Sequence, residues 1–96
     1  MTLRRRLTRT ILAVSLALAG CSRPPLPEAG TPAAQLYTTR CGTCHPPYNP
    51  HVLTAAMWQV QVEAMRAKIV AAGQPPLTYA DQAAILAYLR RNAGTQ

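Results

Sequence analysis

Residues 41–45 read Cys41-Gly42-Thr43-Cys44-His45, and no other stretch of the 96-residue chain restricts its fold so tightly. One helical or near-helical turn brings two sulfurs with this spacing to one edge of a flat partner and sets the next imidazole beneath its centre. C-x-x-C-H is the attachment pattern of a c-type haem. Cys41 and Cys44 would form thioethers to the two vinyl groups, and His45 would bind the iron through Nε2. Its Nδ1–H would then be held by a backbone carbonyl or a water. Three other uses of these residues compete. A thioredoxin-like pair normally opens a helix within a βαβ pattern, and no strand pattern is present. A zinc site needs four ligands, yet beyond these three the chain offers only His51 and Cys21. A Cys41–Cys44 disulfide would close a tiny loop and stabilise little.

The chain begins with Arg4, Arg5, Arg6 and Arg9, followed by the apolar run Ile11 to Ala19. A basic region before a short apolar one reads as a secretory signal peptide; the run is too short to span a bilayer, which takes about 20 apolar residues. Leu18-Ala19-Gly20-Cys21 resembles the lipobox of bacterial lipoproteins. That resemblance implies cleavage before Cys21, acylation of its thiol and amino group, and anchoring by several acyl chains, where one alone is marginal. Ser22 at the next position resembles default sorting to the outer rather than the inner membrane. Four of the ten Lys and Arg leave with residues 1–20 while all three acids stay, so the mature chain carries +3. The high overall charge is therefore a targeting feature and no argument for nucleic-acid binding.

Residues 21–30 would be a lipidated cysteine and a proline-rich linker of polyproline II character, with a tail folded over the domain as its alternative. The domain, residues 31–96, divides into three helices. Thr31 caps the first, with Pro32 at its first position. Pro46, Pro47 and Pro50 then forbid a helix and fix a rigid loop. Thr54 caps the second helix, with Leu53 and Trp58 as a hydrophobic staple; it is expected to reach about Ala72 and end at Gly73. Trp58, Val62, Met65 and Ile69 form one apolar stripe at helical period, with Gln61, Glu63, Arg66 and Lys68 off it. Thr78 followed by Asp81 opens the last helix, expected to run to about Asn92 with Gly94 finishing it.

Together the haem motif, Leu36-Tyr37 four residues before Cys41, and Leu86-Ala87-Tyr88-Leu89 near the end resemble a small monohaem cytochrome c. The resemblance implies an all-α fold of three to four helices wrapped around one covalent haem c, the first and last helices crossing. Trp58, Val62 and Met65 also resemble the W-x-x-x-V-x-x-M element of small bacterial cytochromes, with the methionine near or on the iron. Class I cytochromes c usually carry the distal methionine between their last two helices. Here that connection is Gln74-Pro75-Pro76-Leu77 and has none. The distal position therefore falls to Met65, with His51, Met57 or an open iron as alternatives, since Met/His and bis-His ligation both occur.

A six-coordinate iron leaves no site for a substrate, so one-electron transfer is the expected function, without catalysis or a small-molecule substrate. Only three acids are present, none beside a suitable base. Redox partners would dock transiently, burying less than about 1,200 Å². The chain is expected to be a periplasmic electron carrier anchored at Cys21. Two other classes stand beside it: a haem protein that binds or senses carbon monoxide or nitric oxide at a displaceable or open sixth site, and an accessory electron-relay subunit of a larger redox complex.

Overall fold

The computed structural model describes residues 24–95. The signal-peptide segment and Cys21 lie outside the described residues. The described chain folds into α1 (Pro32–Cys41), a single 3-10 turn (Pro50–Val52), α2 (Ala55–Ala71) and α3 (Tyr79–Arg91). This is the all-α architecture expected. No described helix is long and apolar enough to cross a membrane.

Each helix starts where a threonine hydroxyl can satisfy an orphan amide. Thr31 accepts from the Ala34 amide at 3.3 Å, Thr54 from Met57 at 3.3 Å and Thr78 from Asp81 at 3.0 Å. The end of α2 is equally local in origin. Ala72 is its C-cap and Gly73 turns left-handed at φ 77°, so that the Gln74 amide reaches the Ile69 carbonyl at 3.1 Å. That Schellman turn favours glycine because a Cβ is costly at positive φ.

The core is nine apolar residues drawn from all three helices and one connection: Ala34, Tyr37, Trp58, Val62, Ile69, Leu77, Ile85, Tyr88 and Leu89. Of the stripe on α2, Trp58, Val62 and Ile69 are buried while Met65 is half-buried. Tyr37 packs on Tyr88 with ring centroids 5.6 Å apart, which joins α1 to α3 as the resemblance implied. Edge-on to Tyr37 at 6.3 Å stands Trp58, completing an aromatic row across the three helices. Such pairs stabilise by about 0.5–1.5 kcal/mol beyond the area they bury. At the other end of α1, Arg40 donates to the Pro75 carbonyl and ties the helix to the α2–α3 connection.

Gly94 does not finish the last helix. Asn92 is the C-cap of α3, its side chain returning to the Tyr88 carbonyl at 3.0 Å. Gly94 instead donates its amide to the Leu53 carbonyl at 2.8 Å and lies against the backbone of residue 51. A Cβ there would stand 2.1 Å from the His51 carbonyl oxygen. Glycine is required by close approach of two backbones, which no local sequence rule reports. Gly94→Ala is expected to cost about 1–3 kcal/mol, or roughly 4–8 °C of melting temperature per kcal/mol in a domain this small. Thermal unfolding followed by circular dichroism checks this, and an unchanged midpoint would mean the C-terminal segment shifts freely.

The proline-rich segment does not stand clear of the domain along its length. Leu26 packs against the core, and the buried Tyr88 hydroxyl donates to the Pro27 carbonyl at 2.9 Å. Glu28, at φ 54°, turns the chain into α1. Its carboxylate accepts from Arg91 at 2.8 and 3.0 Å and also from Asn92. The folded tail is thus the arrangement observed for residues 26–30. Arg91 and Asn92 hold the Glu28 carboxyl below the usual glutamate range. A carboxyl lowered by folding stabilises above its unfolded value and loses that contribution as pH falls through the folded one. Melting curves of wild type and Glu28→Gln should therefore differ at neutral pH and converge in strong acid. A difference independent of pH would show that the clasp is not electrostatic.

Candidate haem site

α1 ends at Cys41, and Gly42 is its C-cap, donating to the Thr38 carbonyl at 2.9 Å. The chain is tightly folded at that point: a Cβ on residue 42 would lie 2.4 Å from the same oxygen. Cys41 is therefore held on the last helical turn, half-buried, and its thiol is pushed up to about 11 by burial, opposed by the Arg40 cation. Cys44 follows in the exposed bend, and both cysteines are free thiols.

His45 is oriented by its neighbour. Nδ1–H donates to the Pro46 carbonyl at 2.8 Å, which fixes the tautomer and leaves the Nε2 lone pair for a metal. The sequence left open whether a backbone carbonyl or a water would hold it, and which carbonyl. Tyr48 lies beside the imidazole, with ring centroids 4.8 Å apart. The loop is pinned to α1 because the Tyr37 hydroxyl donates to the Tyr48 carbonyl at 2.7 Å. Burial raises the Tyr37 hydroxyl above its usual range, so it remains a donor at physiological pH. On the far side of the loop, Pro50 accepts from Trp58 Nε1 at 2.6 Å, and Asn49 Oδ1 accepts the His51 amide at 3.3 Å. Three prolines thus make a rigid strap that closes on the 3-10 turn.

Between this loop and α2 lies a cleft of about 620 Å³, within the ~300–1,000 Å³ range of ligand and cofactor sites. Cys41 and His45 border it from one side. Gln61, Met65 and Lys68 border it from α2, and Trp58, Val62, Leu77, Ile85 and Leu89 form apolar walls. Cys44 is not among the bordering residues, but it stands next to His45 in the same bend. The donor set and the apolar walls fit a flat, largely apolar group that Cys41 and Cys44 would hold covalently and His45 would ligate.

The candidate distal ligands separate by position. Met65 borders the cleft. Met57 is 45% exposed and does not. His51 also lies off the cleft, exposed, with Nδ1 and Asn49 Oδ1 2.6 Å apart. Sequence reasoning put Gln61 and Lys68 off the apolar stripe, and the structure puts both on the cleft. Met65 belongs to two stripes at once: one with Trp58, Val62 and Ile69 toward the core, the other with Gln61 and Lys68 at i, i+4, i+7. The second was readable from spacing alone, but its polar ends disguised it. Tyr37 and Tyr48 were missed as site residues because their role depends on a hydrogen bond across eleven residues.

The family model described as dihaem cytochrome c matches residues 37–96, a span that runs from α1 through the haem motif to the last helix. The chain belongs to the dihaem cytochrome c family, and so to the haem-c electron-transfer cytochromes. The family is one of two-haem proteins, whereas the resemblance to small monohaem cytochromes c implied one haem; this chain has three cysteines and one C-x-x-C-H. No curated protein and no solved structure matches the chain.

Proposed function

We propose that this chain is a single-haem electron carrier, lipid-anchored through Cys21 on the periplasmic side of a bacterial membrane, the outer membrane by its Ser22. Cys41 and Cys44 would hold the haem by thioethers, and His45 and Met65 would ligate its iron. When bound, the group supplies one-electron chemistry at iron. The chain's own residues do the rest: Pro46 fixes the imidazole, Tyr37 and Tyr48 brace its loop, and the walls of the cleft exclude water.

One observation carries the reading. A single cleft brings together a half-buried thiol, an imidazole whose Nδ1–H is already engaged, and a methionine on the facing helix. A sixth ligand from the chain favours electron carriage over ligand sensing and leaves no position for substrate. The haem count follows from the single attachment motif. Protein matured with a c-type haem system is expected to carry one iron and one haem mass per chain, measured by intact mass and by haem absorbance against protein concentration. Two haems per chain would refute the count and require a second group held without a C-x-x-C-H.

A further inference from the structure

The folded tail and the proximal loop form a second cleft of about 470 Å³, bordered by Pro24 and Leu26 from the tail and by Pro47, Tyr48, His51 and the proximal His45 from the loop. No Asp or Glu borders it. Five of the eight residues that border it are proline, leucine or tyrosine, and Tyr48, which it shares with the haem cleft, is 59% exposed. Pro24 is three residues from Cys21, so an anchor there lies within about 10 Å of this rim by chain length alone. Arg23, between the two, adds a positive charge that suits anionic headgroups.

We infer that this face, made by the tail and residues 46–52, rests against the membrane, its occupant being the lipid surface into which the acyl chains of Cys21 insert. The inference rests on the anchoring proposed above. A tyrosine among exposed apolar side chains matches the composition of the membrane–water interface. What turns a tether into an orientation is the clasp: Pro27 on Tyr88 and Glu28 on Arg91 and Asn92 leave little free chain between lipid and domain. Tyr79 lies at the other end of α3 from Arg91, about 18 Å away at 1.5 Å per residue, and is 85% exposed. That end is held away from the lipid and stays open to redox partners.

The test uses the full-length haem protein in vesicles of phosphatidylethanolamine and phosphatidylglycerol. His51→Cys and Tyr79→Cys are each labelled with an environment-sensitive fluorophore, the native cysteines being engaged by haem and acyl groups. Brominated lipid should quench the label at 51 several-fold more than the label at 79, with aqueous iodide giving the reverse order. Glu28→Arg, which opposes Arg91, should erase most of that contrast. Equal quenching at both positions in membrane-bound protein overturns the orientation and leaves the anchor standing. Fractionation separates the other failure: if protein with intact Cys21 is soluble, or Cys21→Ser stays on the membrane, the anchoring reading falls and the orientation with it.

Discussion

Met65→Ala is expected to turn a closed haem into one that binds carbon monoxide in its ferrous form. Of the three side chains that could face His45 across the iron, Met65 alone borders the cleft, while Met57 and His51 are exposed and lie off it. A thioether ligand raises the reduction potential relative to a second imidazole. Its loss should lower the potential by on the order of 0.1–0.3 V, a part of the ~0.8 V span that axial ligands command. The oxidised wild type should show a far-red sulfur-to-iron band that the variant lacks. Met57→Ala should match wild type in all three measurements. Equal carbon monoxide binding by wild type and Met65→Ala would remove Met65 from the iron and bring the sensing alternative forward.

That experiment bears on the part of the site which the sequence left most open. Most features with a local cause were legible, the Pro46 carbonyl on His45 being an exception. The three threonine caps, the Schellman glycine and the proline-stiffened loop each depend on residues within six positions, and each was read from spacing. The haem motif is of the same kind, since its chemistry is fixed by five consecutive residues. What escaped was set by contact between distant backbones. Gly94 looks like a helix terminator in sequence, yet its missing side chain makes room for residue 51. Glu28 reads as one acid in a linker, and only the fold brings Arg91 and Asn92 to it. Lys68 is exposed, in keeping with its place off the apolar stripe, and that it also borders the cleft depends on α2 being set against residues 45–53.

The same dependence on an inserted plate predicts what happens when the attachment thiols are removed. Of the nine core residues, Tyr37, Trp58, Val62, Leu77, Ile85 and Leu89 also form the wall of the cleft. Two-thirds of the core is therefore packed around the cofactor's place, and Ala34, Ile69 and Tyr88 lie away from it. A domain this small gains little from its core alone, rarely more than about 3–5 kcal/mol, and losing the plate that these six residues would pack against removes dispersion contacts from that core. The double variant Cys41→Ala/Cys44→Ala, which cannot hold the group covalently, should lose most of its far-UV helical signal and melt without a cooperative transition. The single variants should retain one thioether each and fall between. Helicity and a sharp transition in the double variant, close to those of the haem-loaded protein, would show that the three helices are stable through their own contacts. The aromatic row of Trp58, Tyr37 and Tyr88 would then be the first place to look for the missing stability.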